Sequence, residues 1–188
     1  MKRTTAAVAW LAWGICTATA TSVASEGIPY GKVADMLYQV MSANREVYTR
    51  EVVQRLTVDE QILTASEHFE DDVALPLPSQ MFRFVSEEVM DHTEDFSYSL
   101  LSLHPINKKN GPGTDLERQG LEYVVDHSGE TFYGEETLGG ERYFSAVYPD
   151  YAVVEACVQC HNNHKDSPRN DLQVGDVMGG IVIRIPMD

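Results

Sequence analysis

Gly179-Gly180-Ile181-Val182-Ile183-Arg184-Ile185, close to the end of the chain, decides the fold class. Ile181, Ile183 and Ile185 fall on one side of an extended backbone, and β-branched residues dominate, so Gly180–Ile185 reads as a strand. Upstream stands Cys157-Val158-Gln159-Cys160-His161, a C-x-x-C-H motif. A late motif followed by a strand excludes a four-helix bundle, where such a motif lies on the last helix. Only 27 residues follow His161. That also excludes the small electron carriers, which place the motif near the N-terminus and a Met ligand well downstream.

Working outward, Arg142–Tyr148 reads as another strand after Gly139-Gly140, and Thr131-Phe132-Tyr133 as a short one. Thr114-Asp115-Leu116-Glu117 is a capping box opening a helix to about Val125. Phe96-Ser97-Tyr98-Ser99-Leu100 alternates in the manner of a strand, and Leu101-Ser102-Leu103 extends it. Ser79 is positioned to cap a helix from Gln80 to about His92, just after Leu75-Pro76-Leu77-Pro78. Apolar residues at helical spacing from Gly31 to Leu56 predict a long first helix. Thr57-Val58-Asp59-Glu60 has the form of a second capping box, predicting a new short helix there. Helices first, then antiparallel-looking strands with an inserted helix, give an α+β pattern with helices on one face of a small sheet.

The 188 residues are enough for one domain with a real core. Hydrophobic residues make up 43%, too many for a disordered chain. With 14 Lys+Arg against 29 Asp+Glu, the net charge is −15, which excludes a nucleic-acid binder and adhesion to anionic lipid. Residues 1–25 read as a cleavable signal peptide: Lys2 and Arg3, an apolar run from Ala6 to Ile15, then Ala18-Thr19-Ala20 or Val23-Ala24-Ser25 as the cut. No later segment reads as a membrane span. Residues 26–188 then form a single domain, expected in the periplasm. Loss of the two basic residues moves the net charge from −15 to −17, and loss of Cys16 leaves Cys157 and Cys160 as the only thiols.

The motif points to one covalently attached haem c. Two thiols add to the two haem vinyls, a two-residue gap matches the vinyl separation, and the adjacent His161 reaches the iron as an axial ligand. Attachment takes place outside the cytoplasm, which the signal supplies. Three other readings compete. One is a Cys157–Cys160 disulfide. Another is a thioredoxin-like redox pair, for which the motif should open a helix after a strand, and this region does not read so. The third is zinc held by Cys157, Cys160, His161 and His164, four ligands within eight residues and crowded for a tetrahedron.

Around the haem, the scarce basic residues are expected to meet the propionates, with Arg142, Tyr143, Arg83 and His164 the nominated surroundings. The alternative reading of His164 is that it bonds a backbone group and shapes the loop after the motif. For the second axial position, Met36, Met41 and Met178 and several histidines are available, and Met41 on the long helix is placed first. Met178 reads as lying in a Gly-rich turn.

Ala156–Ile185 resembles the periplasmic c-type-haem PAS-like sensor domains, which occur alone or fused to histidine kinases and cyclases. The resemblance rests on Cys157-Val158-Gln159-Cys160-His161-Asn162, His164, Ser167-Pro168, Asp171 and Val174-Gly175-Asp176-Val177 with Gly179. Leu75-Pro76-Leu77-Pro78 with Phe82, Ser102 and Pro105, Arg142-Tyr143, and Arg45, Tyr48 and Val52 extend it over most of the chain. Leu172, Met178 and His104 depart from the family pattern. The resemblance implies a PAS-like antiparallel sheet flanked by helices, with the haem at its edge. It implies a redox or small-gas sensor or binding module, taking a ligand such as nitric oxide or carbon monoxide and signalling through a partner protein. The alternative is an electron-transfer cytochrome steered by its acidic surface to a basic redox partner. An enzyme is not expected; a peroxidase would need an acid–base His, for which His104 is the nominee.

Overall fold

A computed structural model describes residues 27–187 with the exception of residue 128. The predicted signal peptide lies outside the described residues. Helix α1 spans Tyr30–Val47 and runs on without a break into a π-helical segment, Tyr48–Asp59. Two short parallel strands, β1 (Thr64–Ala65) and β2 (Ala74–Leu75), precede helix α2 (Pro78–His92). Strand β3 (Ser97–Leu101), helix α3 (Asp115–Asp126), and strands β4 (Phe132–Leu138) and β5 (Glu141–Tyr151) follow. Helix α4 (Glu155–Asn163) and strand β6 (Val177–Pro186) complete the fold. The main sheet is antiparallel, in the order β3-β6-β5-β4. The fold is therefore α+β, an antiparallel sheet flanked by helices with a long N-terminal helix.

Side chains alternate along a strand, and the two central strands bury both sets. Ala146 and Tyr148 of β5 and Ile181, Ile183 and Ile185 of β6 pack beneath Ala34 of α1 and Phe82 of α2. Val147 and Val182 pack instead beneath Leu121 and Val124 of α3. Helices thus cover both faces, not the single face expected from the order of elements. Glycine makes the α3 side close: a side chain at Gly120 would collide with Val147, and one at Gly180 would meet Leu121 at 2.9 Å.

Polar ties fix the helices to this sheet. Asp35 of α1 accepts from the Tyr133 and Tyr148 hydroxyls at 2.6 and 2.8 Å, and Tyr38 stacks on Tyr148 with centroids 4.2 Å apart. Burial, and donation to Asp35, raise the Tyr148 pKa, so it remains a donor. On the other face Arg184 pairs with Glu117 of α3 at 2.7 Å and with Glu136 of β4 at 2.8 Å. Glu117 also closes the predicted capping box, accepting from the Thr114 amide while Thr114 Oγ1 accepts from the Glu117 amide.

Three local expectations are corrected. Thr57-Val58-Asp59-Glu60 opens no helix; Thr57 to Asp59 form the last turn of the π-helical segment, so their amides are already committed. Ser79 does not cap α2. Pro78 occupies its first turn with φ preset for the helix, and Gln80 Oε1 reaches back to the Leu77 amide at 2.9 Å. Met178 lies within β6, at the irregularity where the β5–β6 register shifts, and not in a turn.

Candidate functional site

The motif forms α4, which leaves the end of β5 after three residues. The expectation that it does not open a helix after a strand is corrected: Cys157 is the third residue of such a helix. Thiol chemistry still separates it from a redox pair. Although the residue is exposed, desolvation of its sulfur, the Cys157 thiol and Glu67 push the Cys160 pKa up, away from the thiolate that redox cysteines need. Both cysteines are free thiols, Cys157 buried and Cys160 facing outward. Among the described residues, no three His, Cys, Asp or Glu side chains converge as a metal cluster.

The backbone of α4 is held from two sides. Gln54 of the π-helical segment accepts from the Ala156 amide at 2.9 Å. At the other end Asn162 clamps Leu172, donating to its carbonyl at 2.9 Å and accepting from its amide at 3.0 Å. This folds the loop after α4 back over the helix. Within that loop His164 Nδ1 accepts from the Asp166 amide at 3.2 Å, so His164 shapes the loop.

His161 enters a narrow cleft of about 50 Å³ at the end of the sheet. Its apolar wall is Leu103, Leu121, Val125 and Leu172. His104, Ser167, Arg169 and Met178 line it as well. Burial, helped by the neighbouring Arg45 guanidinium, holds the His161 imidazole below its usual pKa. The neutral, metal-binding form is thereby favoured.

A buried ion pair braces the same end of the sheet. Arg45 of α1 meets Asp150 at 3.0 Å, with side chains 5% and 8% exposed. The Arg45 Nε has no partner. Asp150 stands where the β5–β6 register shifts, one residue before β5 ends.

The other nominated residues lie elsewhere. Arg142 and Tyr143 are at the start of β5, eight or nine residues from its end. At about 3.3 Å per residue that is roughly 25–30 Å from the strand end that feeds α4. Arg142 pairs with Glu135, and the Tyr143 hydroxyl donates to Glu141. Arg83 pairs with Glu87 on the exposed side of α2 and stacks over Phe84. Met41 packs into the α1–α2 core and does not line the cleft.

Sequence reasoning missed Arg169 and the clamp on Leu172. The signal for Arg169 was its place, eight residues after His161 and closer than either nominated arginine. It is half-buried and paired with Asp171 at 2.9 Å.

The donor set suits a haem. It offers two free thiols one turn apart, a neutral imidazole beside them, apolar walls, a cation, and a thioether in the same cleft.

The profile of the Tll0287-like family matches residues 30–186. The chain belongs to the Tll0287-like family. Among solved structures, the crystal structure of the cyanobacterial heme-protein Tll0287 is similar at 16% identity. The match covers 84% of this chain and 94% of that one, with a TM-score of 0.48. No curated protein matches the sequence. The Tll0287-like match takes in α1 through β6, so it spans the cleft and every element that lines it.

Proposed function

We propose that the chain is an exported monohaem c-type protein acting as a redox or small-gas sensing module. Cys157 and Cys160 carry the haem as thioethers, and His161 binds the iron. When bound, the haem would supply a redox-active iron. Leu103, Leu121, Val125 and Leu172 exclude water from the iron side, and Arg169 is the cation for a propionate. Membership of a family named for a haem protein agrees with this reading.

One observation carries it: His161, held neutral beside two free thiols, enters an apolar cleft together with Arg169 and Met178. Sensing is favoured over electron carriage by the way α4 is mounted. Its first turn hangs on Gln54 of a π-helical segment, a backbone form concentrated at functional sites. A displacement of α4 is thus passed to the long helix, on which a partner protein can read it.

The test is an optical spectrum of the mature protein, made with a haem-maturation system, oxidised and reduced, with and without carbon monoxide. A covalent haem that changes on adding carbon monoxide to the reduced form is expected. Cys157→Ser with Cys160→Ser should abolish attachment. A protein without covalent haem overturns the proposal. A six-coordinate spectrum indifferent to carbon monoxide assigns the module to electron transfer instead.

A further inference from the structure

We propose that the outer edge of β4 is a docking site for an extended, basic segment of a partner protein, which adds to the sheet as a further strand. The inference does not depend on the haem, and it goes beyond the sensing reading by naming where a partner sits. β4 stands last in the sheet order, and among the described residues no strand pairs with its outer side. Its register with β5 runs unbroken from Phe132 opposite Val147 to Leu138 opposite Glu141. A regular edge of 7 residues, roughly 24 Å long, is thus left unpaired.

The hairpin fixes which backbone groups face outward. Gly139 and Gly140 form a two-residue turn with φ of +63° and +93°, both positive as a type I′ hairpin requires. The pair flanking such a turn, Leu138 and Glu141, exchanges two hydrogen bonds, and bonded and unbonded pairs alternate from there. Phe132, Gly134, Glu136 and Leu138 therefore direct their N–H and C=O groups at β5. Those of Tyr133, Glu135 and Thr137 point away from the sheet, in the row that an added strand pairs with.

Side chains select the occupant. A groove of about 460 Å³ runs between this edge and the start of α3. Leu116 of α3 lies directly on Gly134, where a Cβ would meet it at 2.8 Å. Leu116, Phe132 and Leu138 give an added strand an apolar wall on this face. Asp115 stands at the rim, in the first turn of α3. On the other face Glu135 is exposed and held to the equally exposed Arg142, a pair worth little and readily exchanged. β4 has neither Lys nor Pro, the usual guards of an open edge, and its charges are Glu135 and Glu136. Two copies joined through this edge would bring those glutamates together on chains of net charge −15, which disfavours self-pairing. A strand of alternating apolar and basic residues satisfies both faces, with its apolar row on Leu116 and a Lys or Arg across from Glu135. The edge is also joined to α1, which runs on into the segment holding α4, because the Tyr133 hydroxyl donates to Asp35 at 2.6 Å.

The experiment uses the full mature chain with its haem and two acetylated, amidated heptapeptides, one alternating Val with Lys and the other Val with Glu. Fluorescence anisotropy of the labelled peptides reads binding, and amide hydrogen exchange reads the place. In the free protein the amides of Tyr133, Glu135 and Thr137 should exchange fast, and those of Gly134, Glu136 and Leu138 slowly. The Lys peptide should slow the first three roughly tenfold or more, and the Glu peptide should bind roughly tenfold or more weakly. Thr137→Pro removes one outward N–H without touching the β5 ladder or any charge, and should weaken the Lys peptide by a similar factor. Glu135→Lys should reverse the preference between the peptides, and it keeps the test decisive if Thr137→Pro does not fold. No binding of the Lys peptide, equal binding of the two peptides, binding that leaves the three amides fast, or binding unchanged in both variants overturns the proposal. Outward amides already slow in the free protein mean that the chain itself covers the edge, and slowing that grows with protein concentration means that a second copy does; either result overturns it.

Discussion

Asp150→Asn should be among the most damaging single changes in this chain, and the mirror substitution Arg45→Met should be milder. Both residues are buried, Arg45 at 4% and Asp150 at 7% exposure, and they meet at 3.0 Å. Removing the carboxylate leaves a guanidinium in the core with its Nε already unpartnered. An arginine cannot escape by losing its proton. Breaking one side of a buried pair costs about 3–5 kcal/mol. At about 2–4 °C per kcal/mol for a domain of this size, the melting temperature should fall by roughly 6–20 °C.

Arg45→Met leaves a group that can adapt. Burial pushes the Asp150 carboxyl above its usual pKa, and Arg45 is what opposes this. Without Arg45 the folded-state pKa rises further above the unfolded value. A carboxyl whose folded pKa is raised binds its proton more tightly in the native state. Its contribution is therefore favourable at low pH and lost as pH rises through the folded pKa. Arg45→Met should regain stability as pH is lowered through that folded-state pKa, whereas Asp150→Asn, having no carboxyl there, should not. Urea unfolding of the haem-loaded protein, followed by circular dichroism at two pH values, reads both effects. An Asp150→Asn cost under about 1 kcal/mol, against the expected range for a buried charge left alone, would refute the reasoning. So would identical pH trends in the two variants.

Glu117→Gln should cost roughly 2 kcal/mol or more, because it removes a charge from the buried Arg184 pair and weakens the α3 cap; chemical denaturation measures it. Gly120→Ala should destabilise by about 1–3 kcal/mol through overpacking against Val147, and a neutral result would mean α3 rides farther from the sheet. Thr114→Ala should cost about 1 kcal/mol by removing the hydroxyl that accepts from the Glu117 amide, again read by denaturant titration.

The sequence exposed the elements whose signals are local. β6 was legible because a Gly-Gly pair precedes alternating β-branched residues, and α3 because Thr114 and Glu117 stand three apart before an apolar stripe. The same spacing at Thr57 and Glu60 misled. A capping box closes free amides, and those amides were already bonded inside a helix that had not ended. That helix persists because Thr49 and Val53 are buried along it and Tyr48 donates to the Pro76 carbonyl at 2.8 Å, contacts no local pattern encodes. Nearness along the chain misled in the same way at the site. Arg142 is closer in sequence to His161 than Leu103 or Leu121, yet β5 carries it to the opposite end of the sheet.

Antiparallel pairing explains why the cleft forms where it does. β3 ends at Leu101 opposite Gly180, and β5 ends at Tyr151 opposite Val177, so two strands leave and one enters at a single edge. The leaving ends feed Leu103 and His104 from one side and α4 from the other, while the entering end brings Met178. α3 lies across this edge with Leu121 and Val125. A motif near the end of the chain is therefore placed among residues from Leu103 to Val125 because the sheet closes there, and not because the intervening sequence is near it. The acidic surface has no part in that convergence: the cleft's own charge comes from Arg169 and its partner Asp171, and the neighbouring Arg45 is matched by Asp150. A haem attached to α4 would meet apolar walls and balanced charge, whatever the overall charge of the chain.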